Sequence, residues 1–168
     1  SMDKACGFVL WNHSIIIRMV IWIKTLVGKK SGLVKKDGDI NTFRATQLKG
    51  ATLLPIFSVT ATENLLMAAC LAEGATVIKT AASEPNIVDL AQFLKKMGAQ
   101  ITGEGTHTIT VQGVKELHGA RHSVVPDQIQ VGTFAVLAGT TNSEITINNV
   151  IPEHLDMLLH TLHKANIN

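Results

Sequence analysis

Residues 58–74 read SVTATENLLMAACLAEG and run straight into ATVIKTAASEPNIVDLAQFLKKMGAQITGEGT over 75–106. Thr60 and Glu63 have capping-box spacing, a hydroxyl for free helix amides and a carboxylate reaching back, so a helix is expected over 60–72. Gly74 supplies its left-handed exit, and Thr76-Val77-Ile78-Lys79 is a short strand. Ser83-Glu84-Pro85 opens a second helix, with Pro in the first turn and acidic charge at the positive end. Ile87, Leu90, Ala91, Leu94 and Met97 fall on one face of it. Gly98 closes it, 99–102 is a strand, and Gly103-Glu104-Gly105 turns into a strand over 107–111.

A weaker copy follows. A helix is expected over 127–140, a strand over 144–148, and a helix from Pro152 bearing Leu155, Leu158, Leu159 and Leu162. Pro85 to Pro152 is 67 positions and Gly98 to Asn166 is 68, so the two passes superpose. Asn166 stands where the first pass has glycine, as the next-best residue for left-handed backbone. The pattern calls for another strand after Asn168, which suggests a chain cut short. The fold class is therefore α/β, built from repeated βαβαββ-type units.

Composition agrees. The chain has 168 residues, 46% hydrophobic and 4% aromatic with no Tyr, which suits helices on sheets and disfavours a base-stacking nucleic-acid platform. Net charge is +2 but uneven: residues 1–50 carry nine Lys/Arg against three Asp/Glu, and 51–168 carry six against ten. Two cysteines cannot build a disulfide framework, and Cys70 reads as a small buried hydrophobe. Nothing resembles a signal peptide, so a reducing cytoplasm is the expected compartment. Ser1-Met2 looks like a tag-cleavage scar.

Residues 1–44 are read as a divergent extension and basic linker ahead of a domain over 45–168. The apolar run SIIIRMVIWIKTLV over 14–27 is too short and too charged to cross a bilayer, and a buried strand or helix is expected there. Trp11 and Trp22 leave a membrane-surface reading open but do not favour it. GKKSGLVKKDGD reads as a solvated linker or hairpin rather than a phosphate site, because its lysines have no aromatic or arginine partners.

Four stretches resemble the UDP-N-acetylglucosamine 1-carboxyvinyltransferases: SVTATENLLMAACLAEG, EPNIVDLAQFLKKMGAQI with its GEGT turn, GVKELHGARHSVVPDQIQVGTF, and IPEHLDMLLHTLHKA. The resemblance is continuous from about Ala45 to the C-terminus. It implies an inside-out α/β barrel of two domains, each of three repeated units, with this chain supplying most of one domain. It also implies transfer of enolpyruvyl from phosphoenolpyruvate to the 3-hydroxyl of UDP-N-acetylglucosamine, with no metal and no cofactor. That step opens peptidoglycan synthesis, and with it cell-wall biogenesis, cell shape and division. Partners would be the two substrates, not nucleic acid or membrane, together with a second domain or further copies of the chain.

The resemblance carries UDP-sugar binding onto Ile56, Phe57, Ser58, Val59 and Thr60, where relatives have a Lys-Val-Ser-Val-Gly-like segment. Free amides and a hydroxyl at a helix start suit a diphosphate, although a Ser or Thr there equally serves as a plain cap. The chain departs from its relatives at three places. Ile56 replaces a lysine, and Gln128 and Gln130 replace an Arg and a Glu, while Asp127 remains available as a cap. The relatives' loop cysteine, in a Gly-Cys-x-Ile-Gly-x-Arg-Pro-like pattern, has no counterpart in context. Cys6 lies 52 residues before Ser58 without the Arg-Pro, so no catalytic residue is assigned.

Other constellations stay bland. His118 with His122, and His160 with His163, lack the ligands that would complete a metal site and read as surface histidines. Gly103-x-Gly105 precedes a strand, not the helix a dinucleotide fingerprint needs. The competing function is a non-catalytic binding or assembly module on the same scaffold.

Overall fold

The computed structural model describes residues 6–11, 32–37, 40–45, 47–55 and 57–167. Alternation sets the main sheet. Along Ala75–Lys79 (β5) and Thr108–Gln112 (β7), Thr76, Ile78, Ile109 and Val111 point inward while the ends of both strands face solvent. With Thr52–Leu53 (β4) and Gln100–Thr102 (β6), they form a four-stranded sheet in the order β4-β5-β7-β6. β4 and β5 are parallel, and β7 runs antiparallel to both β5 and β6.

Two helices cover the inner face, Val59–Ala69 (α1) between β4 and β5, and Pro85–Lys96 (α2) between β5 and β6. The chain order is thus β-α-β-α-β-β, the unit expected from the repeat. Leu53, Leu65, Leu66, Ile78, Ile87, Ile109 and Val111 are fully buried in one cluster. Each large side chain there stabilises the fold by about 1.5–3 kcal/mol relative to exposure. Cys70 sits in the same cluster, and burial pushes its thiol up to about 11. The α2 boundary lies where Pro85 and Gly98 place it, with Gly98 at φ +102.

A separate three-stranded sheet is formed by Cys6–Trp11 (β1), Gly32–Asp37 (β2) and Ile40–Ala45 (β3), in the order β1-β3-β2 and antiparallel throughout. The hairpin reading of the glycine- and lysine-rich segment holds for β2 and β3, whereas β1 was not foreseen. The apolar run over 14–27 lies outside the described residues. No helix among the described residues is long and apolar enough to cross a membrane.

Contacts divide the chain after His122 into two compact units. In the second, Asp127 caps Gln128–Thr141 (α3), accepting from the amides of Ile129 at 2.8 Å and Gln130 at 3.3 Å. Pro152–His154 forms a 3-10 turn, so the α-helix expected from Pro152 begins only at Asp156 and runs as Asp156–Lys164 (α4). Gly132 and Gly139 share a face of α3, and a Cβ on them would lie 3.2 Å from Leu158 and 2.7 Å from Ile167. Their missing side chains set the close approach of the two segments. Asn166 is left-handed at φ +58, the conformation Gly98 adopts one repeat earlier.

The strand expected over 144–148 does not form: those residues are irregular and mostly exposed. Alternating sequence gives strand character, but a strand exists only against a hydrogen-bonded neighbour, and no described residue pairs with this segment.

Candidate functional site

The loop entering α1 is the site to which the sequence points. Ser58 is extended at φ −158° and ψ 125°, and its Oγ accepts from the amide of Ala61 at 3.3 Å. It is therefore Ser58, not Thr60, that caps α1. The capping box read from Thr60 and Glu63 is corrected on the same ground: Thr60 already lies inside the helix, where its carbonyl accepts from Asn64 Nδ2 at 2.8 Å. Glu63 instead accepts from Asn86 Nδ2 at 2.8 Å, tying α1 to the start of α2. Cap and box spacing are degenerate in a stretch with Ser58, Thr60 and Thr62 within five residues, and helix phase decides among them.

Thr62 fixes the loop from below. Fully buried, it donates its hydroxyl to the Ser58 carbonyl at 2.9 Å and accepts from the Ala82 amide at 3.0 Å. Thr80 occupies left-handed backbone at φ +56, and its hydroxyl donates to the Pro55 carbonyl. A β-branched residue there is strained by about 1–3 kcal/mol, so two loops are held together at this point against a local preference. Phe57 is 55% exposed and meets the His107 ring edge to face at 5.5 Å. His107 is itself anchored, Nδ1 to the Ala81 carbonyl at 3.0 Å.

What this leaves open is an amide-lined helix end. Ser58 and Val59 are half-buried and Thr60 is exposed, no described residue accepts from the amides of Val59 or Thr60, and the first turn of α1 holds no acidic side chain. The N-terminal end of the helix dipole therefore faces outward without an internal counter-charge, which favours an anion. Of the five residues assigned to UDP-sugar binding, Phe57, Ser58, Val59 and Thr60 lie together here. Ile56 lies outside the described residues.

The remaining groups fall elsewhere. Asp127 uses its carboxylate to cap α3, and in the first turn Gln128 is half-buried and Gln130 exposed. No group of three metal-ligating side chains occurs among the described residues. His122 departs from its reading as a surface histidine: its side chain is only 8% exposed, and Nε2 lies 2.8 Å from Asp89 Oδ1. The signal was available in α2, where Asp89, Phe93 and Lys96 follow i, i+4, i+7 spacing and form one stripe. An acid so close to an apolar face requires a partner.

Residues 33–168, 136 of the 168, match the family model described as EPSP synthase (3-phosphoshikimate 1-carboxyvinyltransferase). Among curated proteins, the chain is 48% identical over 140 residues to UDP-N-acetylglucosamine 1-carboxyvinyltransferase 1 of Carboxydothermus hydrogenoformans, covering 83% of this chain and 32% of that protein. It is 48% identical over 122 residues to UDP-N-acetylglucosamine 1-carboxyvinyltransferase 2 of Bacillus subtilis, covering 72% of this chain and 28% of the relative. With the first enzyme of Caldanaerobacter subterraneus subsp. tengcongensis it shares 51% over 125 residues, 74% of this chain and 30% of the relative. The chain thus spans about a third of the length of the curated relatives it matches.

Two solved structures share the fold. The enolpyruvyl transferase NikO from Streptomyces tendae superposes with a TM-score of 0.65 at 17% identity, over 79% of this chain and 33% of NikO. EPSP synthase from Acinetobacter baumannii gives 0.55 at 22% identity, over 79% and 31%. With its β-α-β-α-β-β unit, its structural neighbours and a family match over most of its length, this chain belongs to the EPSP synthase family of enolpyruvyl transferases.

Proposed function

We propose that this chain is a portion of a UDP-N-acetylglucosamine 1-carboxyvinyltransferase and that it contributes the diphosphate-facing part of the sugar-nucleotide surface. The complete enzyme would move enolpyruvyl from phosphoenolpyruvate to the sugar 3-hydroxyl and release phosphate, a cytoplasmic step at the head of peptidoglycan synthesis. The relatives at 48–51% identity bear that enzyme's name, and the chain accounts for roughly a third of their length, so turnover by the chain alone is not expected.

The observation that carries the reading is the open end of α1, where the Val59 and Thr60 amides have no acceptor among the described residues and the first turn carries no acid. A diphosphate placed there would take backbone N–H bonds of the charge-assisted kind, with Phe57 and the Ser58 cap as its immediate surroundings. Titration calorimetry of the chain with UDP-N-acetylglucosamine tests this. Saturable heat that weakens at least fivefold in Thr60→Pro, which removes one of the amides, supports the assignment. Silence at millimolar ligand overturns it.

A second reading, a non-catalytic binding or assembly module on the same scaffold, is favoured by one feature of the sequence: Ile56, Gln128 and Gln130 are uncharged where the resemblance implies charged residues. It predicts that silence in calorimetry, together with an intact fold.

A further inference from the structure

Residues 113–122 have no regular structure yet are held at both ends and in the middle. The Gly113 amide donates to the Gly74 carbonyl at 3.0 Å, and the Val114 amide donates to Cys70 at 2.8 Å. A Cβ on Gly113 would lie 1.5 Å from the Ala72 carbonyl oxygen, so only glycine fits. Leu117 packs on the core, and the His118 amide donates to Met97 at 2.9 Å. The segment thus crosses the C-terminal ends of α1 and α2 and satisfies carbonyls that a helix end leaves unpaired. It then turns back along α2 to His122, and the second compact unit begins at Ser123.

His122 meets all three members of the α2 stripe. Nε2 lies 2.8 Å from Asp89 Oδ1, Nδ1 lies 3.1 Å from Lys96 Nζ, and the ring stands 5.3 Å from Phe93. An ammonium only donates, so Nδ1 presents its lone pair to Lys96 and Nε2 carries the proton given to Asp89. One neutral tautomer satisfies both neighbours, and Asp89, 8% exposed, has its partner.

We propose that His122 is the releasable latch of a strap, residues 113–122, that ties the C-terminal ends of α1 and α2 together. The two ends of the strap differ in kind. Around Gly113 it is held by backbone bonds in a space without room for a side chain, whereas at His122 it is held by side chains alone. Opening therefore begins at His122 and runs toward His118. The four residues 119–122 then become free chain, up to about 14 Å long when extended.

Hydrogen exchange on the whole chain tests the latch, with the His118 amide as reporter and those of Val114 and Ile109 as references. His122→Ala is expected to speed exchange at His118 at least tenfold and leave both references unchanged. His122→Gln, whose amide can still donate to Asp89, should restore most of the protection. Asp89→Asn, which keeps an oxygen acceptor and the side-chain volume, should give an intermediate rise. Unchanged exchange at His118 in His122→Ala or in Asp89→Asn overturns the latch. So does a uniform rise at all three amides, or a failure of His122→Gln to restore protection.

Discussion

Ser58 holds two roles that experiment can part. As the cap of α1 it satisfies the Ala61 amide, so Ser58→Ala should cost about 1 kcal/mol of stability in denaturant unfolding. Under the proposed function the same change also removes a hydroxyl beside the bound diphosphate. Affinity for UDP-N-acetylglucosamine should then fall in a sample that is still fully folded. Cys70 offers a check on the core. With its thiol pushed up to about 11, the thiolate fraction at pH 8 is about one in a thousand. Mass mapping after iodoacetamide at pH 8 should find Cys70 unlabelled in the native protein and labelled once it is unfolded. Native labelling would contradict the packing described. Residue roles were only partly legible in the sequence: three hydroxyl residues within five positions each fit the cap, and only the phase of α1 selects Ser58. The stripe on α2 shows that Asp89 needs a partner, but His122 lies 33 positions away and nothing local identifies it as that partner.

Among the elements, the first unit was readable because each boundary has its own chemistry. Pro85 at the start of α2, left-handed Gly98 at its exit, and the glycine turn before β7 each permit only a few conformations. The exit of α1 is a correction: the helix expected to reach residue 72 ends at Ala69 with a right-handed cap at Cys70, and left-handed Gly74 serves the turn into β5 instead. The second unit was less readable. Its strand over 144–148 has the right alternation but lacks a pairing edge among the described residues, and pairing is not written in a local sequence. Close approach gives the sharpest test at this scale. Gly113→Ala drives a methyl into the Ala72 carbonyl and should destabilise the fold by about 2 kcal/mol or more, read as a lowered unfolding midpoint. Gly119→Ala, with nothing within 4 Å of the added Cβ, is the control and should be nearly silent.

For the molecule as a whole, burial is uneven. The first unit holds nearly the entire buried core. In the second, α3 buries no residue, with Ile129 at 71% exposure and Met157 of α4 at 80%. Residues of α3, α4 and the 143–150 segment line an apolar groove of about 460 Å³. Exposed apolar surface of this kind promotes association, so light scattering should give a mass above that of the 18.1 kDa chain that rises with concentration. A constant monomer mass at high concentration would count against it.

The central claim, an open helix end that receives a diphosphate-linked sugar, is tested most directly by amide chemical shifts during titration with UDP-N-acetylglucosamine. The account predicts saturable shifts that are largest at Val59 and Thr60, with those of β6 and α4 unmoved. Shifts that leave Val59 and Thr60 in place while other amides respond would contradict it.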